Sequence, residues 1–87
     1  MRLRYQFELM DLDDRVIAVP IGDGDDGFRG IIKLNGTALF IFKLLNEETT
    51  EEAIVESLMK EYNVTHEKVA DDVHHYVIEF KERGLII

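Results

Sequence analysis

Cysteine and tryptophan are absent, proline occurs once, at Pro20, and the only serine is Ser57. Without cysteine there are no disulfides, no thiolate metal ligands and no thiol nucleophile, so any core must hold without covalent staples. No apolar run approaches the roughly 18 to 20 residues of a membrane span. The opening Met-Arg-Leu-Arg-Tyr-Gln lacks the apolar stretch of a secretory signal. No glycine-rich phosphate loop opens a helix, and the carboxylates are scattered as capping and solubilising groups are. Basic residues are also scarce: ten against 18 acidic ones, for a net charge of −8. Such a chain is repelled by phosphate backbones and anionic lipid, which argues against nucleic acid and membrane and for neutral or basic partners. These absences read as a cytoplasmic protein that is not an enzyme and uses no cofactor and no metal.

What is present suffices for one domain spanning residues 1–87. At this length roughly 60 to 65% of the unfolded surface can be buried around a single core, and 46% hydrophobic with 32% charged residues is ordinary for a globule. Tyr5, Phe7 and Leu9 alternate with Gln6, Glu8 and Met10, which predicts a half-buried strand followed by a polar turn at Asp11 to Asp14. Arg15 to Val19 is more continuously apolar and suits a central strand, ending at Pro20, which cannot donate to a ladder. Gly22, Gly24 and Gly27 among Asp23, Asp25 and Asp26 read as an exposed, mobile loop. The third strand runs from Phe28 to Leu34, with Phe28, Gly30, Ile32 and Leu34 on one face and Arg29, Ile31 and Lys33 on the other. Short connections predict an antiparallel meander in which the first and third strands are edges.

Asn35 then caps a helix that is apolar nearly all round, through Leu39, Phe40, Ile41, Phe42, Leu44 and Leu45. Thr50, followed by Glu51 and Glu52, caps a second helix carrying Ile54, Leu58 and Tyr62 on one stripe, which ends near Asn63. Thr65 caps a third, where Val69, Val73, Tyr76, Val77 and Phe80 keep helical spacing, and Arg83-Gly84 closes it. Leu85-Ile86-Ile87 is an apolar tail packed on the core or beside the sheet. The fold class is α+β, a winged helix-turn-helix-like domain with an N-terminal three-stranded antiparallel sheet followed by three helices.

Leu34-Asn35-Gly36-Thr37-Ala38, then Thr50 with Ile54, Leu58 and Tyr62-Asn63-Val64, then Val69 and Asp72 to Phe80, ending in Gly84-Leu85-Ile86, resembles the pyrroloquinoline quinone biosynthesis protein D (PqqD) family. The resemblance covers Phe28 to the C-terminus, and the strands before it weakly. It implies a non-catalytic peptide chaperone that binds the leader of a ribosomally made precursor and presents it to a modifying enzyme, often a radical S-adenosylmethionine enzyme. It further implies that the leader adds to the third strand and lies between that strand and the third helix. Carried over, the peptide-binding residues are Phe28, Arg29, Gly30, Ile31, Ile32, Lys33 and Leu34 on the strand, with Val69, Asp72, Val73, Tyr76, Val77 and Phe80 on the helix. The chain departs from the family pattern at Gly36, where a bulkier polar residue is usual, and in the longer loop before Phe28.

Elementary physics supports the same reading. An edge strand offers unpaired N–H and C=O groups to a second chain, and alternate side chains of that chain supply specificity. Two apolar anchors contribute roughly 1.5 to 3 kcal/mol each on full burial, before the cost of ordering the peptide, for a net near −8 kcal/mol or micromolar affinity. Ile31, Val73 or Val77 is expected to floor the groove, with Arg29 and Lys33 meeting acidic residues of the peptide. An exposed edge also permits a homodimer.

Three sharper readings carry less. A helix-turn-helix invites DNA, but carboxylates dominate the N-terminal half of the third helix, where base-reading residues would sit. His74 and His75 point about 100° apart on a helix and cannot share one ion, although Asp71 can pair with either. If they line the groove, peptide affinity should vary in their titration range. The Asp23 to Gly27 run lacks an EF-hand glutamate, since the twelfth position from Asp23 is Leu34. The alternative to peptide recognition is a winged-helix protein-interaction or dimerisation module in transcriptional control.

Overall fold

A computed structural model describes residues 1–21 and 30–87. Three strands, β1 (Phe7–Leu12), β2 (Arg15–Pro20) and β3 (Ile32–Leu34), precede three helices, α1 (Gly36–Leu44), α2 (Glu51–Glu61) and α3 (His66–Glu82). The sheet is antiparallel in the order β1-β2-β3, so the more apolar strand is central, as its composition requires. The fold class read from the sequence is the one observed.

Two boundaries differ from the sequence reading. The first turn is shorter: Asp11 and Leu12 stay in β1, and Leu12 pairs with Arg15 around the two residues Asp13-Asp14. β3 is also shorter than Phe28 to Leu34, since Gly30 stands in a bend at φ 104°, a conformation open to glycine and strained for other residues. Phe28 and Arg29, with the glycine- and aspartate-rich loop, lie outside the described residues.

All three predicted N-caps form. The side chains of Asn35, Thr50 and Thr65 accept from the backbone N–H of Ala38, Ala53 and Lys68, satisfying donors that the first turn of a helix leaves open. α3 ends in a Schellman motif, with Gly84 at φ 73°. Leu85 N–H donates to Phe80 C=O at 2.9 Å and Gly84 N–H to Lys81 C=O at 3.0 Å. That turn drives Leu85 into the core, where it is fully buried. The tail packs beside the N-terminal segment instead of the sheet, with Arg2 and Ile87 exchanging bonds of 3.0 and 2.9 Å and Leu3 opposite Ile86. The Met1 amino group donates to Thr49 C=O at 2.7 Å and pairs with Glu48 at 2.8 Å. Its hydrogen bond and charge hold the Glu48 carboxyl below its ordinary pKa. The resulting stabilisation is present above the unfolded carboxylate range and fades as pH falls through the lowered value.

Phe42 joins the layers. It is 1% exposed and its ring meets Phe7 of β1 edge-on at 5.2 Å and Phe80 of α3 at 6.1 Å. Ile32 and Leu34 from β3, Ile41 and Leu45 around α1, Ile54 and Leu58 from α2, and Val73 and Val77 from α3 complete the core. α1 therefore lies between sheet and helices, although Leu39, Phe40 and Leu44 are only partly covered. Replacing Phe42→Ala should lower the unfolding free energy by about 3 to 5 kcal/mol, measured by urea denaturation. For a domain of marginal stability that loss brings the midpoint close to zero denaturant.

Candidate functional site

Among the described residues β3 has a neighbouring strand on one side only. Which of its main-chain groups are engaged follows from the pairing. Ile21 N–H donates to Gln6 C=O at 2.9 Å, whereas Pro20, opposite Phe7, has no N–H to give. In an antiparallel ladder hydrogen-bonded and non-hydrogen-bonded pairs alternate. Arg15, Ile17 and Val19 thus turn their polar groups to β1, and Val16 and Ala18 turn theirs to β3. Opposite these stand Leu34 and Ile32, which are thereby committed to the sheet. Lys33 points its N–H and C=O away from β2, and Ile31 holds the same alternate position. No other backbone group among the described residues bonds to them.

Side chains alternate in the other sense. Ile32 and Leu34 are 1% and 3% exposed, anchoring the strand in the core, while Ile31 is half exposed and Lys33 faces solvent. Asn35, which follows directly, does two jobs. Its Oδ1 accepts from Ala38 N–H at 2.8 Å, and its Nδ2 donates to the Tyr76 hydroxyl at 3.1 Å. This second bond ties the end of β3 to α3 across 41 residues of sequence.

On α3, Val69, Val73, Val77 and Phe80 are buried. The expectation of Val73 or Val77 as an open groove floor is corrected here: both are sealed against the rest of the core and support the groove from beneath. The exposed border of α3 is one position off that stripe. Asp72, His75, Tyr76 and Glu79, together with Thr37 of α1, line a furrow of about 290 Å³ that opens where Asn35 meets Tyr76. Asp72 also pairs with Lys68 at 3.1 Å. The tilted Tyr76 ring rests 6.3 Å from Phe80, which keeps its hydroxyl directed at Asn35.

The structure thus brings Ile31, Ile32, Lys33, Leu34, Asp72 and Tyr76 to one rim and a neighbouring furrow. Gly30 begins the approach to the strand, and Phe28 and Arg29 are outside the described residues. Thr37, His75 and Glu79 were not legible as lining residues. The signal that could have found them is the row 72, 76, 79, which runs at helical spacing beside the apolar row 69, 73, 77, 80. His74 turns instead to α2, with its Nδ1 3.0 Å from Glu51 Oε1, while His75 Nδ1 lies 3.9 Å from Asp71. Among the described residues no group of three or more His, Asp or Glu side chains is placed to hold a metal ion, and no helix is long and apolar enough to cross a membrane.

A three-stranded sheet with β1 and β3 as its outer strands, followed by three helices of which the last is tied to the end of β3 through Asn35 and Tyr76, defines a small winged helix-turn-helix-like domain. The family model for coenzyme PQQ synthesis protein D (PqqD) matches residues 9–86, and the chain belongs to the PqqD family. No curated protein matches the sequence. The solved structure of TbiB1 in complex with the TbiA(beta) leader peptide has the same fold, with a TM-score of 0.73 and 22% sequence identity, over 98% of this chain and 93% of that one.

The Asn35 side chain can be dissected by substitution. Asn35→Ala removes cap and tether together and should cost about 1 kcal/mol, whereas Asn35→Asp keeps the oxygen that accepts from Ala38 N–H and, at 3.4 Å, from the Tyr76 hydroxyl, and loses only the amide donor. Urea midpoints in the order wild type, Asp, Ala are expected. Equal losses for both variants would mean that the bond from the amide nitrogen outweighs the cap.

Proposed function

We propose that this domain is a non-catalytic recognition element for the leader segment of a ribosomally made precursor peptide, which it holds by strand addition to β3 and presents to a modifying enzyme. The observation that carries the proposal is the outer edge at Lys33 of β3 and at Ile31 just before it, unoccupied among the described residues and pinned in place by Ile32 and Leu34. An added strand would satisfy main-chain groups there without sequence preference, while its alternate side chains reach the rim and the furrow beside Tyr76. Membership of the PqqD family supports this reading, as does the leader peptide bound in the TbiB1 structure of the same fold. The partner enzyme we infer is a radical S-adenosylmethionine enzyme, and the setting the cytoplasm, with residues 1–87 acting as one domain. Carboxylates Glu67, Asp71 and Asp72 near the start of α3 oppose the DNA-binding use of a helix-turn-helix, so no observation favours transcriptional control.

A test follows from the direction of the polar groups. Lys33→Pro removes an outward N–H and no bond within the sheet, whereas Lys33→Ala removes only the side chain. Peptide encoded beside this gene, titrated into the labelled protein, should move the amide resonances of Ile31 to Leu34 and of α3. Its affinity should fall at least about tenfold with Lys33→Pro and about threefold or less with Lys33→Ala. Equal effects of the two would refute main-chain pairing, and shifts confined to α2 and β1 would refute the location.

A further inference from the structure

Beyond the furrow, α3 borders a second opening. Gly36, Leu58, Tyr62, Val64, Val69 and the stem of Lys68 enclose a mainly apolar cleft of about 370 Å³ between the start of α1, the end of α2 and the start of α3. Leu58 and Val69 are buried at its base, while Tyr62 and Val64 are 45% and 40% exposed, large apolar groups left facing water. The Tyr62 ring meets Phe40 edge-on at 6.0 Å, which fixes that wall. Thr37 and Asp72 line both the cleft and the furrow, so the two form one path leading away from the end of β3.

Gly36 opens the mouth of this cleft. It occupies the first position of α1, and its φ is not among the positive ones, which are those of Gly30 and Gly84. The backbone therefore has no need of glycine, a residue disfavoured in helices by its entropy. A Cβ placed there would meet nothing within 4 Å. What the missing side chain provides is space.

We propose that the cleft at Gly36 is a second anchoring site, which takes one aromatic or branched aliphatic side chain of the same peptide that pairs with β3. The inference rests on the peptide-binding reading of the edge and adds a specificity determinant to it. Continuity and charge choose the occupant. Antiparallel pairing is the more stable arrangement, and it places the N-terminal end of the peptide at the C-terminal end of β3. Residues preceding the paired segment then pass along the furrow and enter the cleft about two to four positions upstream, at roughly 3.3 Å per extended residue. On the way they meet Glu79, unpaired among the described residues, and Asp72, which shares its charge with Lys68. A lysine or arginine suits that stretch, followed toward the N-terminus by the apolar anchor.

The test is selection of a phage-displayed library of random peptides, about 16 residues long to span rim and cleft, on the immobilised wild-type chain, on Gly36→Leu and on Lys33→Pro. Wild type should enrich peptides with a strand-forming core and an aromatic or branched aliphatic residue at one fixed upstream position. Gly36→Leu should keep the core and lose that position, and the synthetic consensus peptide should bind it about tenfold more weakly. Val64→Asp, in the exposed turn, should do the same and guards against a folding defect of the first variant. Enrichment of the core without an upstream preference, or unchanged affinity for both cleft variants, overturns the anchoring site and leaves the edge reading intact. Peptides retained on Lys33→Pro but lost on Gly36→Leu overturn the edge reading and keep the cleft. No enrichment on wild type overturns both, and a peptide-free dimer dissolved by Gly36→Leu reassigns the cleft to a second copy and overturns the proposal.

Discussion

The alternation of one short strand governs this molecule. β3 must turn Ile32 and Leu34 into the core, and that burial fixes the strand's orientation by a few kcal/mol of apolar transfer free energy. Once the orientation is fixed, the ladder to β2 uses the polar groups of the same two residues, and those of Lys33 have nowhere to go but outward. A strand held so firmly by its side chains can leave half its main chain unpaired without fraying. The unpaired half is what a second chain can use.

The helices serve the same end from the other side. Phe42 locks the sheet to α3 through Phe7 and Phe80, and the valine row of α3 is spent entirely on the core. The helix therefore shows the rim of β3 only a mixed border: one tyrosine, one histidine and two carboxylates. Such a border suits recognition that depends on main-chain pairing for affinity and on a few side chains for choice. Asn35 links the parts, capping α1 with its oxygen and reaching Tyr76 with its nitrogen, so that strand, helix start and the border of α3 are tied together.

Much of this was legible in the chain. Caps at Asn35, Thr50 and Thr65 announce their helices because the chemistry is local: an oxygen at a fixed offset meets an open N–H. The apolar spacing of Val69 to Phe80 predicts the buried stripe of α3, and the apolar run of β2 predicts its central place. The errors arose where local signals compete. Asp11 looks like a turn residue yet stays in β1, because the hairpin closes on the two residues Asp13-Asp14 and draws the ladder two pairs further, to Asp11 with Val16 and Leu12 with Arg15. Val73 and Val77 looked available to a peptide because periodicity shows which residues share a face but not what that face packs against.

Sequence by itself thus determined the acidic, cysteine-free composition, the order and kind of the elements, and their caps, since elements and caps are settled by neighbours within a few residues. Which polar groups of β3 are open, which border of α3 faces them and why Gly36 leaves a cleft were decided only by tertiary structure. Those properties belong to the pairing register and to contacts between segments as far apart as Asn35 and Tyr76, and spacing along one chain carries no record of the distance between two of its parts.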